Sequence, residues 1–213
     1  MHIPSRQTEK QEAFLYNYDM IGNQMVNAGA LHQMLKPYKA HLITGHTHYN
    51  LNIVFDDNLM EHNTAAVCGT WWKADICLDG TPRGYGVYEV NDNDVKWYYK
   101  SSGYPKEHQF RSYPVGASKE HPSDIIANVW NWDKLWKVEW LEDGQLMGNM
   151  TRYTGLDPFA SVVCSDREKM VYTWITPRPT QHMFRATPKN KDAHVTVKVT
   201  DRFGKEYIQT INP

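Results

Sequence analysis

The stretch that decides the fold is "AHLITGHTH", Ala40 to His48. Its first five residues form a short, largely apolar run that Gly45 ends, which reads as a buried strand. Just before it, Lys36-Pro37-Tyr38 stops a helix, because a proline cannot continue the helical hydrogen-bond ladder. Further back, apolar residues recur at helical spacing: Phe14, Leu15, Tyr18 and Ile21, then Val26, Ala30, Leu31 and Leu35. Thr8 to Leu35 is therefore expected to be helical, punctuated at Gly22 and Gly29. A helix that feeds a buried strand is the order of an α/β unit.

Beyond His48 the pattern changes to short strands: "LNIVF", a turn at Asp56-Asp57-Asn58, "HNTAAVCGTWW", then the loop "LDGTPRG". The runs "YGVYEV" and "VKWYYK", joined by "NDND", predict a hairpin. Tyr104 to Asp124 holds three prolines and few apolar residues, so it marks a boundary between units at 1–112 and 113–213. In the second unit "DKLWKVEWL", "LMGNMTRY", "ASVVC", "QHMFRAT", "HVTVKVT" and "EYIQTI" all read as strands. Val195, Val197 and Val199 alternate with Thr196 and Lys198, which predicts one buried and one wet face. The expected fold is α+β overall: a partial α/β sandwich followed by an all-β antiparallel sandwich.

With 213 residues the chain is long enough for one large or two small domains. Its net charge of -1, with 9 Lys and Arg against 12 Asp and Glu up to residue 110 and 14 against 12 after it, offers no polybasic patch for nucleic acid. No apolar run approaches the roughly 20 residues of a membrane span, and the opening residues lack the apolar centre of a secretion signal. Cys68, Cys77 and Cys164 lack C-x-x-C spacing and read as buried thiols, although a Cys68–Cys77 bridge is also open.

Neutral imidazole is a good ligand for zinc, iron or nickel, and His46 and His48 at a strand end can both point into the crevice at the carboxyl edge of a sheet. Ordinary surface or hydrogen-bonded histidines are the alternative. Taken with "HIP" at His2-Ile3-Pro4, "GHTH" resembles the last two sequence blocks of the calcineurin-like metallophosphoesterases. "AAVCGTWW" and "DGTPRGYGVYEV" resemble a bacterial subgroup whose catalytic domain is followed by a β-rich calcineurin-like phosphoesterase C-terminal domain. "WKVEWLEDGQLMG", "HMFRATP" and "HVTVKVTDRFGKEY" are similar to that second domain.

The resemblance implies a phosphoric mono- or diester hydrolase with two divalent ions (Mn, Fe or Zn) at the mouth of a four-layer α/β sandwich. His2 and His46 would hold the second ion and His48 the first. Two such ions clamp the phosphate ester and activate a bridging hydroxide. The family's Asp-x-His, Gly-Asp and Gly-Asn-His-Asp blocks should precede "HIP", yet this sequence starts at Met1. Asp56-Asp57 and Glu61-His62 lie after "GHTH" and lack the family spacing. The expectation is the C-terminal part of a metallophosphoesterase, from a shortened gene or a misplaced start, weakly active or inactive alone. Losing half of its sheet would leave an exposed edge open to self-association. A cell-envelope or periplasmic location follows from the resemblance only.

Other residues have a functional and a plain reading. His62 could approach the metal mouth, but a surface histidine is the simpler expectation. Asp79, Arg83 and Tyr85 sit in a glycine-rich loop that by resemblance borders the substrate, with Arg83 suited to bidentate phosphate contact; a plain hairpin loop is the alternative. Trp71-Trp72 would lie near the same mouth or simply pack. Trp130, Trp132, Trp136 and Trp140 share parity with Val138, so they form either a sandwich core or a platform for sugars or a partner. On the platform reading the chain is an accessory protein that docks on a glycan, an envelope component or a second subunit.

Overall fold

The computed structural model describes residues 1–6, 23–190 and 192–211. The first part contains helix α1 (Ala28–Leu35) and strands β1 (Ala40–Thr44), β2 (Leu51–Val54) and β3 (Leu59–Asn63). These strands form a mixed sheet in the order β1-β3-β2, with β3 parallel to β1 and antiparallel to β2. All five residues of β3 are buried, whereas α1 buries none. The helical expectation holds at Ala28–Leu35, and its first part falls mostly on residues 7–22, outside the described residues. The predicted hairpin forms as β4 (Gly84–Asn91) and β5 (Asp94–Ser101), paired antiparallel in register from Gly84–Ser101 to Asn91–Asp94.

The rest is β-rich. It contains β6 (Arg111–Tyr113), β7 (Ile125–Asn128), β8 (Lys137–Glu142), β9 (Gln145–Asn149), β10 (Thr151–Gly155), helix α2 (Pro158–Ser165), β11 (Thr180–Ala186), β12 (Val195–Thr200) and β13 (Glu206–Ile211). One four-stranded sheet runs β10-β11-β7-β6 and the other β13-β12-β8-β9, all antiparallel. Between them lies a core of Phe110, Ile125, Ala127, Val129, Trp136, Val138, Trp140, Val195, Val197, Val199 and Tyr207, among others. Burying a valine or a larger side chain fully is worth about 1.5–3 kcal/mol, and the alternation in β12 puts three valines inside at once.

Trp132, Trp136 and Trp140 of the tryptophan row belong to this interior, and Trp130 to a second cluster. Trp130, Trp136 and Trp140 are buried and Trp132 is half-buried against the same core. Trp130, Trp132 and Trp136 precede β8 and only Trp140 lies on it, so burial rather than a continuous strand unites the row. Such a row offers no platform to a glycan.

"ASVVC" is a helix, α2, and not the expected strand. Asp157 caps it by accepting from the Ala160 amide, and Pro158 occupies the first turn, where its missing N–H costs nothing. The stretch "HNTAAVCGTWW" leaves β3 after Asn63 and continues as turns.

The expected boundary at residue 112 falls within β6. Contacts cross it repeatedly: Ala65, Cys77 and Tyr99 pack with Trp130, and Asn52 donates to the Asn131 carbonyl at 2.8 Å. Buried Asp79 accepts from the Asn50 amide at 2.9 Å and from the Thr81 hydroxyl at 2.7 Å, and faces His182 Nε2 at 3.3 Å. Asn128 then ties the Asp79 carbonyl to the Asp157 carboxylate. A Cβ at Gly80 would lie 2.2 Å from Asp157, so glycine lets the loop close on this network.

Candidate metal centre

The histidines of "GHTH" leave β1 at its carboxyl end, and their backbone is unusual. His46 has φ 73° and His48 φ 58°. Trp71 and Trp72, which follow Gly69-Thr70, have φ 48° and 64°. Among the described residues the other non-glycine positions of this kind are Asp92 and Asp143, in the tight turns of the β4–β5 and β8–β9 hairpins. Left-handed backbone at bulky residues costs on the order of 1–3 kcal/mol each, and such strain gathers where side chains must be aimed.

The result of that aiming is one close imidazole pair. His46 Nδ1 lies 2.9 Å from His2 Nε2, with the rings at 82° and their centroids 4.8 Å apart. Two nitrogens on one tetrahedral ion, with bonds of about 2.0–2.1 Å, would sit about 3.3 Å apart. The pair is within a few tenths of an ångström of that spacing. His48 stands beside it, stacked on Trp71 with centroids 4.8 Å apart and its Nδ1 3.7 Å from Cys68 Sγ. Burial holds the His48 imidazole below its usual pKa, opposed by a hydrogen bond to Gly69, and the neighbouring His46 and His2 push the same way as burial. A neutral imidazole is the form a metal binds.

His2 is held in place by its neighbours. The Gly45 amide donates to the His2 carbonyl at 3.0 Å, and the Met1 ammonium to the Ile43 carbonyl at 3.1 Å. Fully buried Glu61, on β3, accepts from the Ser5 amide at 2.7 Å, from the Thr44 hydroxyl at 3.0 Å, and from the Ser5 hydroxyl. Ser5 Oγ in turn meets His32 Nε2 at 2.8 Å. Desolvation pushes the Glu61 carboxyl above the ordinary carboxylate range, while the Ser5 hydroxyl and amide pull it back. The carboxylate therefore fastens the segment carrying His2 to the strand beside β1. In the sequence Glu61 stands out only through the Glu61-His62 pairing, which lacks the metal-ligand spacing of the family.

His62 is neither at the surface nor at the metal mouth. It is 2% exposed, its Nδ1 faces Asn52 Oδ1 at 3.0 Å and its Nε2 faces His41 Nδ1 at 2.9 Å. Because the Asn52 amide group donates to Asn131, its oxygen must accept from His62 Nδ1, so His62 Nε2 accepts from His41. Burial lowers the His62 pKa to about 3. Arg83 pairs with Asp75 at 3.1 Å, and Tyr85 is exposed on β4. Asp79 is enclosed in the network joining the two parts. All three cysteines are free, Cys68 half-buried and the other two buried.

A domain model described as the C terminal of calcineurin-like phosphoesterase matches residues 61–207, more than half of the chain. The chain belongs to the calcineurin-like phosphoesterases, as their C-terminal part. No curated protein and no solved structure matches it. The matched span starts at Glu61, so His2, His46 and His48 precede it. Membership of a metallophosphoesterase family implies a divalent metal and a phosphate ester substrate. The donors do not close round such an ion by themselves: among the described residues no three His, Cys, Asp or Glu side chains are grouped to hold one. The imidazole pair has the spacing of two ligands, and among the described residues no carboxylate is grouped with it. Among the described residues no helix is long and apolar enough to cross a membrane.

Proposed function

We propose that this chain supplies the histidine side of a phosphoesterase metal centre, His2 and His46 to one ion and His48 to a second, and that the anionic ligands come from residues other than the described ones. The observation that supports this most is the 2.9 Å contact of His2 Nε2 with His46 Nδ1 in the turn just past β1, where His46 and His48 are held left-handed. A divalent ion at such a centre neutralises charge on a phosphoryl oxygen and lowers the pKa of a bound water. The chain's own part is to present imidazoles in a fixed geometry, through the Glu61 anchor and the strained turn.

Three neutral donors without a bridging carboxylate hold a second ion poorly, so the chain alone is expected to bind one ion weakly and to hydrolyse phosphate esters slowly or not at all. The β-sandwich acts as the rigid support for the loop from Ala65 to Gly84, and Arg83 and Tyr85 border the substrate. Assays with p-nitrophenyl phosphate and its bis ester in Mn²⁺ or Zn²⁺ test this. Background-level turnover agrees with an incomplete centre; robust turnover that His46→Ala abolishes would show a complete one and refute the proposal.

A further inference from the structure

An unbroken run of aromatic rings starts at His48 and leads outward. His48 stacks on Trp71 at 26° with centroids 4.8 Å apart, Trp71 meets Trp174 edge to face at 4.7 Å and 89°, and Trp174 stacks with Tyr172 at 5.5 Å and 24°. The outer rings are bare: Trp174 is 53% exposed, Tyr172 47%, and nearby in sequence Trp72 is 72%. The loop that carries them is nevertheless pinned. Met170 and Ile175 are buried with Leu78 and Cys164, and the Arg178 amide donates to the Leu78 carbonyl at 2.9 Å.

Anchored apolar residues beneath and exposed rings above are the arrangement of a binding surface, since isolated exposed aromatics need no such support. The run is continuous with the imidazoles, and Trp174 lies two ring contacts from His48, the reach of one nucleoside or glycosyl unit. Its perpendicular rings form a corner, which suits a flat ring better than a broad protein face.

We infer that this wall binds the ester group of the substrate, and that the substrate is a phosphate ester bearing a ring with an apolar face, either a nucleobase or a sugar. The position of the phosphate at the imidazoles rests on the function proposed above; the ring-binding wall does not. Stacking on Trp174 would hold the ester group while its phosphate reaches the metal side, so the wall selects ring-bearing esters over acyclic ones.

Saturation-transfer NMR on the metal-free full chain, with adenosine, methyl β-glucoside and glycerol as uncharged probes, tests the wall without calling on the metal. Adenosine or the glucoside is expected to bind and glycerol not to, and Trp174→Ala and Tyr172→Ala are each expected to weaken binding about tenfold, the size of one good ring contact. Which ring binds tells a nucleotide-type from a glycosyl-type ester. Binding should persist in His46→Ala, so a failure of the metal reading leaves the wall standing. Absence of binding by either ring, binding untouched in both variants, or a dimer in sedimentation that Trp174→Ala dissolves would overturn the inference, the last by showing that a second copy is the occupant.

Discussion

Glu61 is the position where one atom change should separate anchoring from bulk stability. Its carboxylate accepts from the Ser5 amide and the Thr44 hydroxyl, and Ser5 adds its own hydroxyl. Glu61→Ala strands these donors in the interior, and a buried unsatisfied donor costs about 1–3 kcal/mol, so the loss should be on the order of 3 kcal/mol. The strain falls first on residues 1–6, because their attachment to β3 depends on this side chain. Glu61→Gln keeps the shape and one acceptor, and its amide can donate to Ser5 Oγ if the Ser5 hydroxyl turns to His32 Nε2, 2.8 Å away. The glutamine variant should lose about 1 kcal/mol. Urea unfolding and Zn²⁺ titration calorimetry measure both effects. Zinc affinity should fall in the alanine variant by up to the loss seen in His2→Ala, and much less in the glutamine. Wild-type zinc binding in a folded Glu61→Ala protein would refute the reasoning that Glu61 positions His2.

Four further outcomes follow from the same structure. His62 is buried with its pKa pulled to about 3, below the ordinary 6.5, so its neutral form contributes stability that is complete above the unfolded pKa and is lost as pH falls toward the folded one. Stability should therefore decline from about pH 6.5 downward by up to about 1.4 kcal/mol per pH unit from this residue, and His62→Gln should flatten a pH series of urea midpoints by about one proton. Asp79→Ala removes the acceptor shared by the Asn50 amide, Thr81 and His182; a loss on the order of 3 kcal/mol in thermal or urea unfolding is expected from the stranded donors. Trp136→Ala empties the sandwich core and should cost about 3–5 kcal/mol in the same assay. Strand β1 lies at a sheet edge and α1 buries no residue, so sedimentation should show concentration-dependent self-association, and a clean monomer with a folded first part would oppose it.

The elements that could be read from the sequence are those with strong local pattern. The alternating valines of β12 and the β-rich runs flanking "NDND" fold as predicted, because side-chain period and turn chemistry agree there. "ASVVC" misled because its β-branched residues outweighed the Asp157-Pro158 start signal that caps the helix. The tryptophans were legible as a row whose favoured reading was a sandwich core, and the burial of Trp136 and Trp140 agrees with it, although parity alone cannot say which face meets the second sheet. At the centre, His2 and His46 were paired by motif alone, and the structure brings their nitrogens together. The Glu61 anchor and the Trp71–Trp174–Tyr172 run were not legible, because each depends on residues about 56 to 103 positions apart that only tertiary packing joins.

X-ray absorption of the zinc-loaded chain reads the atoms bound to the ion. Two imidazole nitrogens are expected to bind the zinc at about 2.0–2.1 Å, with one lost in His2→Ala and one in His46→Ala. A shell of oxygen ligands only, unchanged in both variants, would contradict it.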